Sequence, residues 1–185
     1  MSRYTDLRPS LSTGDVVLFA GTSLWSHIIK LFSKGKWSHV GMVVRLAELD
    51  DAVMLYESTP RTGVHLASMS EVVRGYKGKM ALRRLTPPIT PGMHASLAEV
   101  RAILAHRPYE RSESELVRAA LDFILPRNHR DVSSIFCSEL VAECYRGMGL
   151  LTWRRPPNEY TPSDFARMST LSSGYQLGPV EVLTA

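Results

Sequence analysis

Short blocks of apolar residues, some alternating and some recurring every third or fourth position, run along the chain, and each predicts an element. Asp15–Ala20 (DVVLFA), opened by Gly14, predicts a short strand. In LWSHIIKLFSKGKW the apolar residues Leu24, Trp25, Ile28, Ile29 and Phe32 recur at helical spacing, and Gly35 ends the run. Ser38–Leu46 (SHVGMVVRL) and Ala52–Ser58 (AVMLYES) predict two strands, and AELDD between them suits a hairpin. Pro60 and Gly63 break the pattern. A short helix near Ser70–Arg74 and a strand over Lys79–Leu85 follow.

Pro87, Pro88, Pro91 and Gly92 mark the one internal boundary. Beyond it, Leu97, Val100, Ile103 and Leu104 share one face of a predicted helix. Ser112 with Glu115 three residues later is a capping-box signature for a helix through Leu125. The stretch PRNHRDVSS predicts a loop. The next helix runs from Ile135 to Met148, with Gly149 as its stop. Thr161 and Pro162 read as the cap and first turn of a further helix. The tail YQLGPVEVL is expected to return as an edge strand, since Pro179 does not suit a central one. Together these elements predict an α+β fold, a small antiparallel sheet with helices packed to one side.

Composition narrows the class. At roughly 100–200 residues per domain, 185 residues make one domain, residues 1–185, with room for a helical insertion about 93–130. A hydrophobic fraction of 44 % supports a real core. No apolar run approaches the roughly 18 residues of a membrane span. The polar start, MSRYTDLRPSLSTGD, does not read as a secretory signal, so a cytoplasmic location is expected. Lys+Arg 22 against Asp+Glu 18 gives +4, too small an excess to argue for nucleic acid. Arg83-Arg84 and Arg154-Arg155 read as solvated surface. Neither a zinc spacing, a phosphate loop nor a dinucleotide fingerprint occurs, so no metal or cofactor is expected.

The two cysteines, Cys137 and Cys144, stand seven apart in one predicted helix. At roughly 1.5 Å per residue they are separated by about 10.5 Å along the axis. A disulfide needs Cα atoms roughly 4.4–6.8 Å apart, so both are read as free thiols. Ser133 or Ser134 can cap the helix and put Cys137 in its first turn. Free N–H groups and the helix dipole there favour a thiolate. The same residue also suits a buried cysteine packing as a small hydrophobe. Cys144, two turns on, reads as core.

A nucleophilic cysteine needs a base. Of the six histidines, His39 stands out because it opens an alternating strand: Val40, Met42 and Val44 point one way, His39, Gly41 and Val43 the other. His27 lies in the amphipathic helix. His65, His94, His106 and His129 fall in loops or on helix surfaces without a supporting pattern. Glu57 ends the apolar strand predicted to pair with that of His39, and an acid among residues built for burial wants a partner. Tyr109, in RPYE, offers a phenol for an oxyanion or, equally, a packing tyrosine.

With these residues in place, the sequence resembles the NlpC-type papain-like cysteine peptidase superfamily, in its circularly permuted branch of YiiX-like and poxvirus-type members. GDVVLF (Gly14–Phe19) and SHVGMVV (Ser38–Val44) match strands that come last in the unpermuted order. RPY (Arg107–Tyr109) and FCSELVAECY (Phe136–Tyr145) match segments that there come first. EYTPSDFA matches the closing segment. The resemblance spans Gly14 to Asp164. It implies a permuted papain-like fold, Cys137 as nucleophile, His39 as base and Glu57 as the third polar residue of a thiol hydrolase with an acyl-enzyme intermediate. Tyr109 matches the tyrosine that lines the active site, and Ser138, beside the nucleophile, joins it for oxyanion and substrate contacts. The glycine that follows Cys-Ser in unpermuted members is Glu139 here, which narrows the cleft and argues against a cell-wall peptide.

Two other readings stand beside it. A lipid acyltransferase of the lecithin–retinol type shares the permuted order, but carries an NCEHF-like motif and a histidine as third residue. A silent module binding a lipid or amide would use the fold without turnover. The expected partner is a small-molecule, peptide or lipid-like substrate. The Trp25 helix, with Lys30, Lys34 and Lys36 around its apolar face, offers a peripheral membrane contact or packs on the sheet.

Overall fold

The computed structural model describes residues 2–21, 36–59, 61–105 and 137–184. Among the described residues there are nine strands: β1 (Ser2–Arg3), β2 (Val16–Ala20), β3 (His39–Leu46), β4 (Ala52–Thr59), β5 (Gly63–Ser68), β6 (Lys79–Arg83), β7 (Leu85–Thr86), β8 (Gln176–Leu177) and β9 (Glu181–Thr184). Seven of them form one sheet in the order β1-β9-β6-β2-β3-β4-β5, and β7 and β8 form a separate pair. Among the described strands of the large sheet, only β1 and β9 run parallel. The described helices are α1 (Tyr4–Leu7), α2 (Met69–Gly75), α3 (Pro91–Leu104), α4 (Cys137–Gly147) and α5 (Pro162–Arg167).

Strands β2 and β3 carry apolar residues at consecutive positions, so both faces of the sheet need cover. Val16, Leu18, Val40, Met42 and Val44 face a core built with Leu140, Val141, Cys144 and Tyr145 of α4, Leu97 of α3 and Phe165 of α5. Val17, Phe19, Val43 and Leu55 face a second core closed by Tyr4 of α1 and by Met69 and Val73 of α2. Fully buried side chains such as Leu140 and Phe165 contribute about 2 kcal/mol each. The expected α+β class holds, with a larger sheet than the sequence suggested. The longer helices lie on one face and two short ones close the other.

Local signals act where the sequence placed them. Thr90 caps α3, its hydroxyl accepting from Met93 N, with Pro91 in the first turn. Thr161 and Asp164 form a reciprocal capping box on α5. Helix α4 ends in a Schellman motif: Leu150 N donates to Tyr145 O and Gly149 N to Arg146 O. Gly149 adopts the left-handed conformation (φ 73°) that this ending requires.

Four expectations are corrected. Arg83 is not solvated surface; it is 4 % exposed, and its guanidinium donates to the carbonyls of Gly178, Phe165, Met168 and Leu177. Arg84 and Arg155 are also engaged, Arg84 with buried Asp15 at 3.2 Å and Arg155 with Asp164 at 3.0 Å. The tail strand β9 is not at the edge, because β1 adds outside it, while Pro179 falls between β8 and β9. Ile103 leaves the buried face of α3 and is exposed. The Trp25 helix, the Ser112–Leu125 helix, the Ser133/Ser134 cap and most of the expected insertion lie outside the described residues. Among the described residues, no helix is long and apolar enough to cross a membrane.

Candidate active site

The site forms where β3 and β4 part. Their paired register begins at Met42↔Tyr56 and runs away from His39. N–H groups along β3 alternate sides, and Val43 N points toward β2, donating to Asp15 O. Val40 N therefore faces β4, at a position where β4 is no longer paired. It is hydrogen-bonded instead to the sulfur of Cys137. Ser138 N also donates to that sulfur. An N–H deep in a helix is occupied by the carbonyl four residues back; one free for a side chain belongs to the first turn. Cys137, the first described residue of α4, thus brings its thiol from the helix side into the opening of the sheet.

His39 enters the same opening from its strand. Its ring rests on Phe19 (centroids 5.2 Å apart, tilted 58°), and Phe19 is met edge-on by Tyr76 at 5.0 Å. His39 Nε2 lies 2.6 Å from Glu57 Oε2. Since Nε2 is taken, the hydrogen bond between His39 and Cys137 uses Nδ1. Glu57 is 8 % exposed and sits on β4 directly across from His65 on β5. The structure therefore brings together Cys137, His39 and Glu57. Ser138 is buried beside the thiol, and Tyr109 lies outside the described residues.

Gly41 leaves room for this arrangement. A Cβ there lies 2.7 Å from Leu55 Cδ1 and 3.3 Å from Tyr56 O. Gly41→Ala is expected to destabilise the chain by about 1–3 kcal/mol, the range for an overpacked core. Chemical denaturation measures it, and an unchanged midpoint contradicts the assigned contact.

The electrostatics couple thiol and imidazole. Burial alone pushes the Cys137 thiol up, but the His39 imidazolium and the hydrogen bonds from His39, Val40 and Ser138 outweigh it and hold the thiol below its ordinary range. Burial likewise disfavours a charged His39, yet the Cys137 thiolate and the bonds to Cys137 and Glu57 raise the imidazole to about 10. The favoured resting state is a thiolate–imidazolium pair. Cys144, fully buried, has only desolvation as its main influence, which pushes its thiol up. Both cysteines are free.

Two participants escaped the sequence reading. The Val40 N–H is invisible without the β3–β4 register. His65 looked like a loop residue but belongs to β5, with Nε2 3.5 Å from Glu57 Oε1 and Nδ1 2.9 Å from Gly63 O. Gly63 was the available signal: a hairpin closing Thr59 on Gly63 sets 57 opposite 65.

A family model described as permuted papain-like amidase enzyme, YaeF/YiiX, C92 family, matches residues 10–156. The chain belongs to this family. A permuted papain-like amidase has the strand that carries His39 ahead of the helix that carries Cys137, as here. The solved structure of YiiX from Escherichia coli superposes with a TM-score of 0.56 at 22 % identity, over 75 % of this chain and 66 % of the YiiX chain. That likeness concerns the fold, and the match leaves about a third of YiiX uncovered. No curated protein matches the chain. The description of YiiX calls it a metalloprotein. In this amidase-family chain, among the described residues, no group of three or more His, Cys, Asp or Glu side chains is arranged to hold a metal ion. The oxygens of Glu57 point to different imidazoles rather than converging with them on one point.

Proposed function

We propose that the chain is a thiol amidase or peptidase that works through Cys137, His39, Glu57 and an acyl-enzyme. The observation that carries this reading is the 2.6 Å contact of His39 Nε2 with Glu57, combined with the Cys137 thiol on the other ring nitrogen. The Cys137 thiolate attacks the amide carbonyl carbon, and N–H groups at the start of α4 stabilise the oxyanion. The tetrahedral intermediate collapses, His39 gives its proton to the departing amine, and a thioester remains on Cys137. His39, now neutral and oriented by Glu57, takes a proton from water as it attacks the thioester. The acid leaves and the thiolate–imidazolium pair returns. Tyr109 and Ser138 are assigned to substrate and oxyanion contacts. Peptides, small-molecule amides and lipid-like amides are the substrate classes, met in the cytoplasm. Glu57 as the partner of His39 favours hydrolysis over the lipid acyltransferase reading, whose third residue is histidine.

An electrophilic thiol probe applied near neutral pH tests the assignment. Wild-type protein and Cys144→Ala are expected to be labelled, and Cys137→Ala to be silent. Equal labelling of both variants would sink it.

A further inference from the structure

Glu57 lies between two imidazoles. One oxygen faces His39 Nε2 at 2.6 Å and the other faces His65 Nε2 at 3.5 Å. The orientation of His65 is fixed from its far side. Nδ1 lies 2.9 Å from the Gly63 carbonyl, which can only accept, so Nδ1 carries a proton. A neutral His65 then turns a bare Nε2 lone pair toward a carboxylate. A charged one turns an N–H toward it. The geometry, an N–H on each ring nitrogen facing an acceptor, fits the imidazolium.

On β4 the facing charged group is Glu57. Among the described strands, β5 is the last of the sheet. The helix packed on β5 is α2, whose charged residues Glu71 and Arg74 are both exposed.

We propose that His65 is a positioning residue of this site, sharing the Glu57 carboxylate with His39 and so weakening its hold on the His39 proton. The inference rests on the thiol-hydrolase reading above. The sharing matters once the thiolate has attacked. Sulfur is then bonded to carbon in the tetrahedral intermediate, and the imidazolium is left with Glu57 as its charged partner. If that hold is too tight, His39 neither releases its proton to the amine nor returns as a base for water. A positive charge on the other side of the carboxylate loosens it without touching the reacting atoms.

The midpoint of His39, followed by NMR in protein whose Cys137 is already alkylated with iodoacetamide, reads this directly, because the thioether, like the thioester, is uncharged and leaves Glu57 as the partner of the imidazolium. A positive charge on the far side of Glu57 disfavours that imidazolium, so removing it raises the His39 midpoint. For charges flanking one buried carboxylate the shift is roughly half a unit to one unit. His65→Gln keeps an N–H donor for Glu57 but no charge, and is expected to show the full upward shift. His65→Asn is a second uncharged variant should the first fold poorly. His65→Arg keeps a charge and is expected to retain the wild-type midpoint. An unmoved or lowered midpoint in the uncharged variants overturns the proposal, as does an equal shift in His65→Arg. Alkylation of Cys137 in the wild-type protein with its midpoint at the ordinary thiol position instead overturns the thiol-hydrolase reading itself, so the two failures are distinct.

Discussion

With His39 replaced by alanine, alkylation of Cys137 by iodoacetamide at pH 6 is expected to slow by two to three orders of magnitude, on the order of the lost thiolate fraction. The sign follows from the opposing influences on the thiol. Burial disfavours the thiolate, and the imidazolium charge with its hydrogen bond is the main force against that. Without it, only the Val40 and Ser138 N–H groups remain on the sulfur, and desolvation pushes the thiol above its ordinary position. At pH 6 the wild-type thiol therefore carries a much larger thiolate fraction than the variant thiol. Raising the pH to 10 is expected to recover much of the difference. Cys144 adds little background, being fully buried with its thiol pushed up. A His39→Ala protein that reacts at the wild-type rate at pH 6 contradicts the coupling.

Arg83→Ala is expected to be among the most destabilising single changes, at about 4 kcal/mol or more. Four carbonyls converge on this guanidinium, from Phe165, Met168, Leu177 and Gly178. Each buried polar group left without a partner costs about 1–3 kcal/mol. Arg83 closes β6, while the four acceptors lie on the end of α5 and the chain that follows it. Their tie therefore fixes the C-terminal segment to the sheet. The midpoint of urea unfolding measures the loss against a total stability of about 5–15 kcal/mol. Arg154→Ala serves as the surface control, since its side chain is exposed. Equal midpoints for the two variants refute the assigned role.

Arg83 also shows what the sequence left unread. An Arg-Arg pair at a strand end looks like solvent-facing charge, and nothing local says that carbonyls more than 80 residues away will surround one of them. His65 is a similar case. Its partner is set by hairpin register, and GVHLAS has too little alternation to be recognised as a strand by itself. The features that were legible are those fixed over a few residues: the Thr161–Asp164 capping box, the Gly149 stop, and the alternation that puts Val40 and His39 on opposite faces. His39 and Glu57 were legible for a mixed reason. Both stand at the ends of strongly apolar strands where a polar residue needs an explanation, and the permuted motif order supplied one. How far β3 and β4 stay paired is a tertiary outcome, and that decides where the thiol fits.

The opening between β3 and β4 has a consequence for timing. Imidazole and carboxylate are 18 residues apart on neighbouring strands, and hairpin register alone can unite them. Sulfur is supplied 98 residues after His39, by a helix that packs against β3 and β4. The His39–Glu57 pair thus needs only a hairpin, whereas the contacts that lower the Cys137 thiol need α4 docked on that hairpin as well. On the proposed reading, activation of the thiol is tied to tertiary structure, and a molecule with α4 undocked carries an ordinary cysteine.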